Sequence, residues 1–169
     1  MRKGGEEHRL TPPTADTPFV IKATYPGRYG FTVTAGPVWP GLAPALPLEY
    51  LQRLILGNNH FGDDWRLEAV GREAEELVIF TTQTTVVGEA ADPEEVREFM
   101  EKRRLLLLDG MAIGHPGALS FYRDPDQLAA FDAHPANVLK DRDGVILPID
   151  LILVEAGDAL AAQLEAALG

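Results

Sequence analysis

Three oxygen-bearing side chains, Asp132, Asn137 and Asp150, stand at a spacing suited to chemistry at a hard cation. The last two flank a hairpin signature. Val138–Lys140 and Val145–Ile149 read as strands, and Asp141-Arg142-Asp143-Gly144 between them is turn chemistry. With that turn Lys140 faces Val145, Asn137 falls near Pro148 and Asp150 near Pro135, at the open end of the hairpin. Paired strands run about 4.8 Å apart, so two such side chains can share one cation. Asp132 ends the preceding strand candidate and returns to the same end through a short loop. Hard cations that also hold phosphate oxygens take a few oxygen ligands and leave room for substrate and water. A carboxylate beside such an ion can accept a hydroxyl proton or orient a nucleophile.

The elements that must hold these residues read as a mixed α+β chain. Phe19–Lys22 and Phe31–Thr34 are short strands, separated by the turn Tyr25-Pro26-Gly27-Arg28-Tyr29-Gly30. A Pro/Gly-rich connector runs from Gly36 to Pro47. Pro47 opens a helix whose apolar face is predicted at Leu48, Leu51, Leu54 and Ile55, ending at Gly57-Asn58-Asn59. Trp65–Val70 and Leu77–Val87 read as strands around a polar turn. Asp92-Pro93-Glu94-Glu95 is a helix start, with an Asp cap, Pro at the first position and Glu at the third. Leu119–Tyr122 and Gln127–Phe131 are strands around an Asp-Pro turn, and a last helix starts at Asp158 with Leu160, Leu164 and Leu168 on one face.

Composition bounds the class. The chain has 169 residues, 46% of them hydrophobic, which excludes disorder as its main state and allows a real core. It has no cysteine, so no disulfide, thiolate metal site or thiol nucleophile. No apolar run approaches the length of a membrane span, and Met1–Glu7 lacks the apolar core of a signal peptide. The expectation is a cytoplasmic protein with no membrane partner. The net charge is −11, and residues 63–102 alone carry 12 acids and 4 bases. Such a balance argues against nucleic acid as a partner, which needs clustered Lys and Arg. The acidic stretch reads as a solvated face.

Asp132-x-His134-Pro135-x-Asn137 resembles the catalytic loop of kinase-like phosphotransferases such as the aminoglycoside phosphotransferases. In protein kinases Asn follows the catalytic Asp by five positions, and the 13-residue step from Asn137 to Asp150 equals the usual step to the metal-binding Asp. The wider pattern most resembles the kinase-like domain of bacterial and phage polyvalent proteins. It comprises Val20-Ile21-Lys22, Tyr25–Gly30, Pro47–Leu51, Phe61–Leu67, Thr82-Gln83 and Phe131–Val138, and covers about Gly4 to Val154. The resemblance implies a single domain over 1–169 with a minimal two-lobed protein-kinase-like fold. A small antiparallel sheet lobe would span about 1–85 and a truncated C-terminal lobe about 86–169. It implies ATP and Mg²⁺ as cofactors, with Asp132 as catalytic carboxylate and Asn137 and Asp150 as metal ligands. Lys22 would reach the nucleotide phosphates, Glu49 would hold Lys22 by an ion pair, and Gln83 would lie in the hinge that meets adenine. The acceptor, protein or small molecule, is not specified.

The sequence departs from the kinase pattern. Gly4-Gly5 is the only candidate phosphate loop, no His-Arg precedes Asp132, and Leu151-Ile152 follow Asp150 in place of Phe-Gly. Only 19 residues follow Asp150, too few for the peptide-binding helices of ordinary protein kinases. These departures keep open a non-catalytic nucleotide-binding or protein-interaction module, a pseudokinase. A metal-dependent hydrolase using His60, Asp63, Asp64, His115, Asp132 and His134 is a third reading.

Overall fold

Antiparallel pairing builds most of the molecule. The computed structural model describes residues 2–4, 7–14 and 18–169, the first three by backbone alone. Its strands are β1 (Arg2–Gly4), β2 (His8–Thr11), β3 (Phe19–Thr24), β4 (Phe31–Thr34), β5 (Gly41–Pro44), β6 (Arg66–Glu73), β7 (Glu76–Thr84), β8 (Glu89–Ala90), β9 (Leu106–Leu107), β10 (Leu119–Arg123), β11 (Leu128–Ala133), β12 (Val138–Lys140), β13 (Ile146–Pro148) and β14 (Ile152–Glu155). Its helices are α1 (Pro47–Phe61) between β5 and β6, α2 (Pro93–Glu101) between β8 and β9, and α3 (Asp158–Leu168) after β14. This is the expected α+β class. Among the described residues no helix is long and apolar enough to cross a membrane.

The chain divides into two compact units. One comprises Met1–Phe31 and Pro44–Thr85, the other Thr32–Ala43 and Val86–Gly169. The first unit is a five-stranded sheet in the order β1-β2-β3-β7-β6. Tyr50 and Leu54 of α1 pack with Tyr29, Ala45, Trp65 and Ile79 in its core. The helix differs from its sequence reading in two ways. Leu48 and Ile55 are 77% and 56% exposed, whereas Tyr50 and Arg53 face inward. Their polar ends find partners inside, which removes the penalty of burying them: Tyr50 Oη lies 3.0 Å from His8 Nε2, and Arg53 pairs with Glu7. The helix also continues past Gly57-Asn58-Asn59 to Phe61 and stops at Gly62, which takes the left-handed cap conformation at φ 73°. Asn58 is occupied elsewhere: its amide accepts from the Trp65 N–H and donates to the Trp65 carbonyl, both at 2.9 Å.

The second unit holds a four-stranded sheet, β14-β11-β10-β9, and a three-stranded one, β13-β12-β8. Its core gathers Leu108, Ile113, Tyr122, Phe131 and Ile152 with Leu160 and Leu164 of α3. The stretch read as a plain connector from Gly36 contributes a strand, β5, which pairs with β4. Val33 of that hairpin is buried in the core of the second unit. The Gly36 N–H donates to Gln163 Oε1 at 3.3 Å, and Gln163 Nε2 donates to the Gly36 carbonyl at 2.7 Å.

Candidate functional site

Asp132 owes its position to a β-bulge. Leu119 pairs with Ala133 and Phe121 with Ala130, so Ser120 alone opposes both Phe131 and Asp132. The extra residue leaves the ladder, as a bulge requires, and Asp132 takes a left-handed backbone at φ 59°. Its amide turns to the Ile113 carbonyl at 3.1 Å. The carboxylate is then held from two sides. Oδ1 accepts the His115 backbone N–H at 2.6 Å, and Oδ2 accepts Asn137 Nδ2 at 3.0 Å. Asn137 Nδ2 also donates to the Asp132 carbonyl at 3.0 Å.

The six residues from Asp132 to Asn137 form two successive turns. The His134 N–H bonds the Asp132 carbonyl at 3.0 Å and the Asn137 N–H bonds the His134 carbonyl at 2.8 Å. The His134 ring stacks on His115, with centroids 4.6 Å apart, and its Nε2 lies 3.7 Å from Asp132 Oδ1. The structure thus brings Asp132 and Asn137 into direct contact.

Asp150 follows from the hairpin, whose register differs by one residue from the sequence reading. Lys140 pairs with Ile146 and Val138 with Pro148. Asn137 therefore meets Ile149, whose N–H donates to the Asn137 carbonyl at 2.8 Å, rather than Pro148. The turn explains the shift. Gly144 N–H bonds the Asp141 carbonyl at 3.1 Å and Gly144 itself is left-handed at φ 80°, which adds one residue to the loop. Asp141 Oδ1 fixes this shape by accepting the amides of Asp143 and Val145. Asp150 lies at a bend one residue beyond the Asn137–Ile149 rung and is exposed.

The hairpin is anchored at its other end. Lys140 Nζ bonds Glu95 Oε1 at 2.8 Å and lies 3.4 Å from Glu89 Oε1. The hydrogen bond from Lys140, then that from the Asp92 amide, holds the Glu95 carboxyl below the ordinary range. The same bond, with a second from Glu89, raises the Lys140 ammonium. Glu95 belongs to the capping box of α2, where Asp92 Oδ1 accepts the amides of Glu94 and Glu95.

The other predicted residues lie in the first unit. Lys22 is on β3, where it pairs with Leu10 and Thr81, and its ammonium sits 4.0 Å from the centroid of the Trp65 ring. Glu49 is on α1 but reaches a different partner from the one expected. Its Oε2 accepts the Leu46 N–H at 2.7 Å, closing the start of the helix in place of an ion pair with Lys22. The cause is local: Leu46 at the cap has no side-chain oxygen of its own. Gln83 is buried within β7 opposite Val20, and the strand runs on to Thr84, whose amide donates to Asp64 Oδ1 at 2.9 Å. Asp64 is thus a strand brace. The candidate phosphate loop at Gly4-Gly5 lies partly outside the described residues. Among the described residues no three His, Asp or Glu side chains form a group able to hold a metal ion. His60, Asp63 and Asp64 belong to the first unit, and His115, Asp132 and His134 to the second.

No family model, curated protein or solved structure matches the chain significantly.

Sequence reasoning missed Gly114, and it named His115 for its ring and not for its backbone N–H. A Cβ at Gly114 would lie 2.2 Å from Asp132 Oδ1, and its φ of 103° suits glycine. The one available signal was Gly114-His115-Pro116-Gly117, a turn signature standing directly before the β10–β11 hairpin.

Two side-chain oxygens at the open end of the hairpin lack a protein donor among the described residues. Because Asn137 Nδ2 is committed to two acceptors, its Oδ1 is the atom left to ligate. It has no hydrogen-bond partner among the described residues, and neither does the Asp150 carboxylate.

Proposed function

We propose that the chain is a kinase-like phosphotransferase that uses ATP and Mg²⁺, with the acceptor unspecified. One observation carries this reading: an Asp held in a bulge is hydrogen-bonded to an Asn five residues on, and an exposed Asp with no partner among the described residues follows the hairpin that this Asn begins. Asn137 Oδ1 and Asp150 would hold Mg²⁺, which when bound neutralises phosphate charge. Asp132 would orient an acceptor hydroxyl and take its proton on a carboxylate oxygen. A carboxylate has about four lone-pair sites, so the two donors already in place leave capacity for that hydroxyl. Lys22 on the third strand, with a helix later in the same unit, is where kinases carry their phosphate-binding lysine.

The reading is tested by thermal unfolding with and without Mg-ATP. A nucleotide at 100 times its Kd stabilises by about 2.7 kcal/mol, so a clear rise in Tm is expected. Asp150→Ala should abolish the Mg²⁺-dependent part of that rise. A chain that Mg-ATP does not stabilise, or an Asp150→Ala variant stabilised as the parent is, overturns it.

The pseudokinase reading is favoured by Glu49, whose carboxylate closes the start of α1 by accepting the Leu46 N–H. ATP turnover that Asp132→Ala abolishes excludes that reading. Nucleotide binding without turnover establishes it.

A further inference from the structure

We infer that Gly114 and the His115 backbone N–H form a clamp that sets the direction of the Asp132 carboxylate, making them positioning elements for phosphoryl transfer; this rests on the reading above. The bulge that expels Asp132 from the β10–β11 ladder gives the residue a left-handed backbone, and Asp132 Cβ then points toward the loop before β10. That loop receives it with two groups in sequence. The Ile113 carbonyl takes the Asp132 N–H at 3.1 Å, and the His115 N–H meets Oδ1 at 2.6 Å. Gly114 between them has no Cβ, which is what lets the carboxylate approach. A methyl there would stand 2.2 Å from Oδ1 and 2.5 Å from Cγ. Those distances are far inside van der Waals contact, so an alanine must displace the carboxyl group or the loop.

The clamp fixes rotation that the Asn137 contact alone leaves open. A single hydrogen bond to Oδ2 permits the carboxylate to swing about that bond, whereas a second donor on Oδ1 from the opposite side sets its plane. Because the second donor is a main-chain N–H, its position is set by the fold and not by a rotamer. The His115 ring stacked on His134 is a separate contact, and its Nδ1 lies 3.0 Å from the Pro116 carbonyl.

Variants at Gly114, His115 and Asp132 and one spectrum decide the matter. Gly114→Ala should lower the kcat of ATP turnover about 100-fold, the cost of misplacing a reacting group by about 1 Å, with the KM for ATP unchanged. Replacing the 114–115 amide by an ester removes the N–H without adding bulk, and should lower kcat in the same way; it gives the answer if Gly114→Ala fails to fold. His115→Ala keeps the N–H and loses only the ring stacked on His134, so it should lower kcat far less than Gly114→Ala does. In an Asp132→Ala background neither Gly114→Ala nor the ester should lower kcat further, since coupled groups are not additive. A full kcat in the ester, a raised KM with kcat intact, or a loss in His115→Ala equal to that in Gly114→Ala overturns the clamp.

A turnover-independent signal separates the two claims. The His115 amide proton should be shifted downfield by its bond to a carboxylate and should move upfield in Asp132→Asn. If the parent shows no turnover and this shift is present, the clamp stands and the phosphotransferase reading falls. If the His115 resonance ignores Asp132→Asn, the clamp is overturned whatever the turnover.

Discussion

A left-handed backbone costs an ordinary L-residue about 1–2 kcal/mol, and Asp and Asn tolerate it best because their short polar side chains bond locally. Asp132 meets that description: its carboxylate takes the His115 amide and Asn137 Nδ2 while its φ is 59°. The position therefore carries two separable demands, one on conformation and one on charge. Asp132→Asn satisfies the first and fails the second, since an amide is no proton acceptor. We expect it to fold with some loss of stability, because its NH₂ cannot accept the second of the two donors on Asp132, while turnover falls about 10²–10⁴-fold, the usual contribution of a positioned base. Asp132→Ala loses both, and should be about 1–2 kcal/mol less stable than Asp132→Asn in denaturant titration. Equal stability of the two variants would show that the backbone conformation exacts no cost. At this scale the sequence reading foresaw a contact made by two side chains and missed one made by the main chain. The Asp132–Asn137 pairing was visible because both side chains act. The His115 contribution is an N–H that every residue but proline has, and only the neighbouring glycine betrays it. Glu49 went astray for a similar reason, because its partner is a backbone amide three residues away.

Between residues and fold stand the hairpin and the helix that brace each other. Lys140 of β12 bonds Glu95 of α2, and β12 pairs with β8. Glu95 has its carboxyl lowered by the Lys140 hydrogen bond first, and Lys140 has its ammonium raised by Glu95 first. The signs fix the window. A lowered carboxyl contributes stability that is fully present above the ordinary glutamate range and is lost as pH falls through its native value. A raised ammonium contributes below the ordinary lysine value and is lost as pH rises through its native one. The pair thus stabilises between those limits and is partly screened by solvent. Glu95→Gln should therefore be less stable than the parent at pH 7. The difference should shrink as the pH falls through the native Glu95 value, followed by urea midpoints across that range. A constant difference down to pH 2 would assign the effect to helix capping alone. The start of α2 was legible in full, since Asp-Pro-Glu-Glu is a capping pattern with a mechanism. The hairpin was legible in place but not in register. Turn residues announce a turn, whereas the left-handed Gly144 that adds a residue is settled by backbone geometry. Leu51 and Leu54 of the predicted face of α1 do pack inward, but Tyr50 and Arg53 were missed because they become apolar-like only when His8, Thr81 and Glu7 meet their polar ends.

At the scale of the whole chain, sequence order and structural grouping part company at one segment. Residues 32–43 lie between stretches of the first unit but group with the second. The reason is chemical: Val33 is 4% exposed in the core that holds Leu160 and Leu164, and Gly36 exchanges two hydrogen bonds with Gln163 of α3. No local pattern foretells such a grouping, because a Pro/Gly-rich connector looks the same whichever core its single valine enters. The ends of the segment nevertheless lie close together, since the Ala45 N–H donates to the Gly30 carbonyl at 2.9 Å. A short Gly-Ser bridge from Phe31 to Pro44 can therefore replace residues 32–43 without stretching the first unit. Burying a valine is worth about 1.5–3 kcal/mol, and each hydrogen bond adds about 0.5–1.5 kcal/mol net. The shortened chain should lose at least about 2 kcal/mol of protection at the amides of Ala129, Phe131 and Leu153 in native-state hydrogen exchange. The amides of Ile79 and Thr81 in β7 should keep theirs. Equal loss in both sets would mean that the two groups open as one cooperative body, whereas retention in both would remove Val33 from any role in the second core.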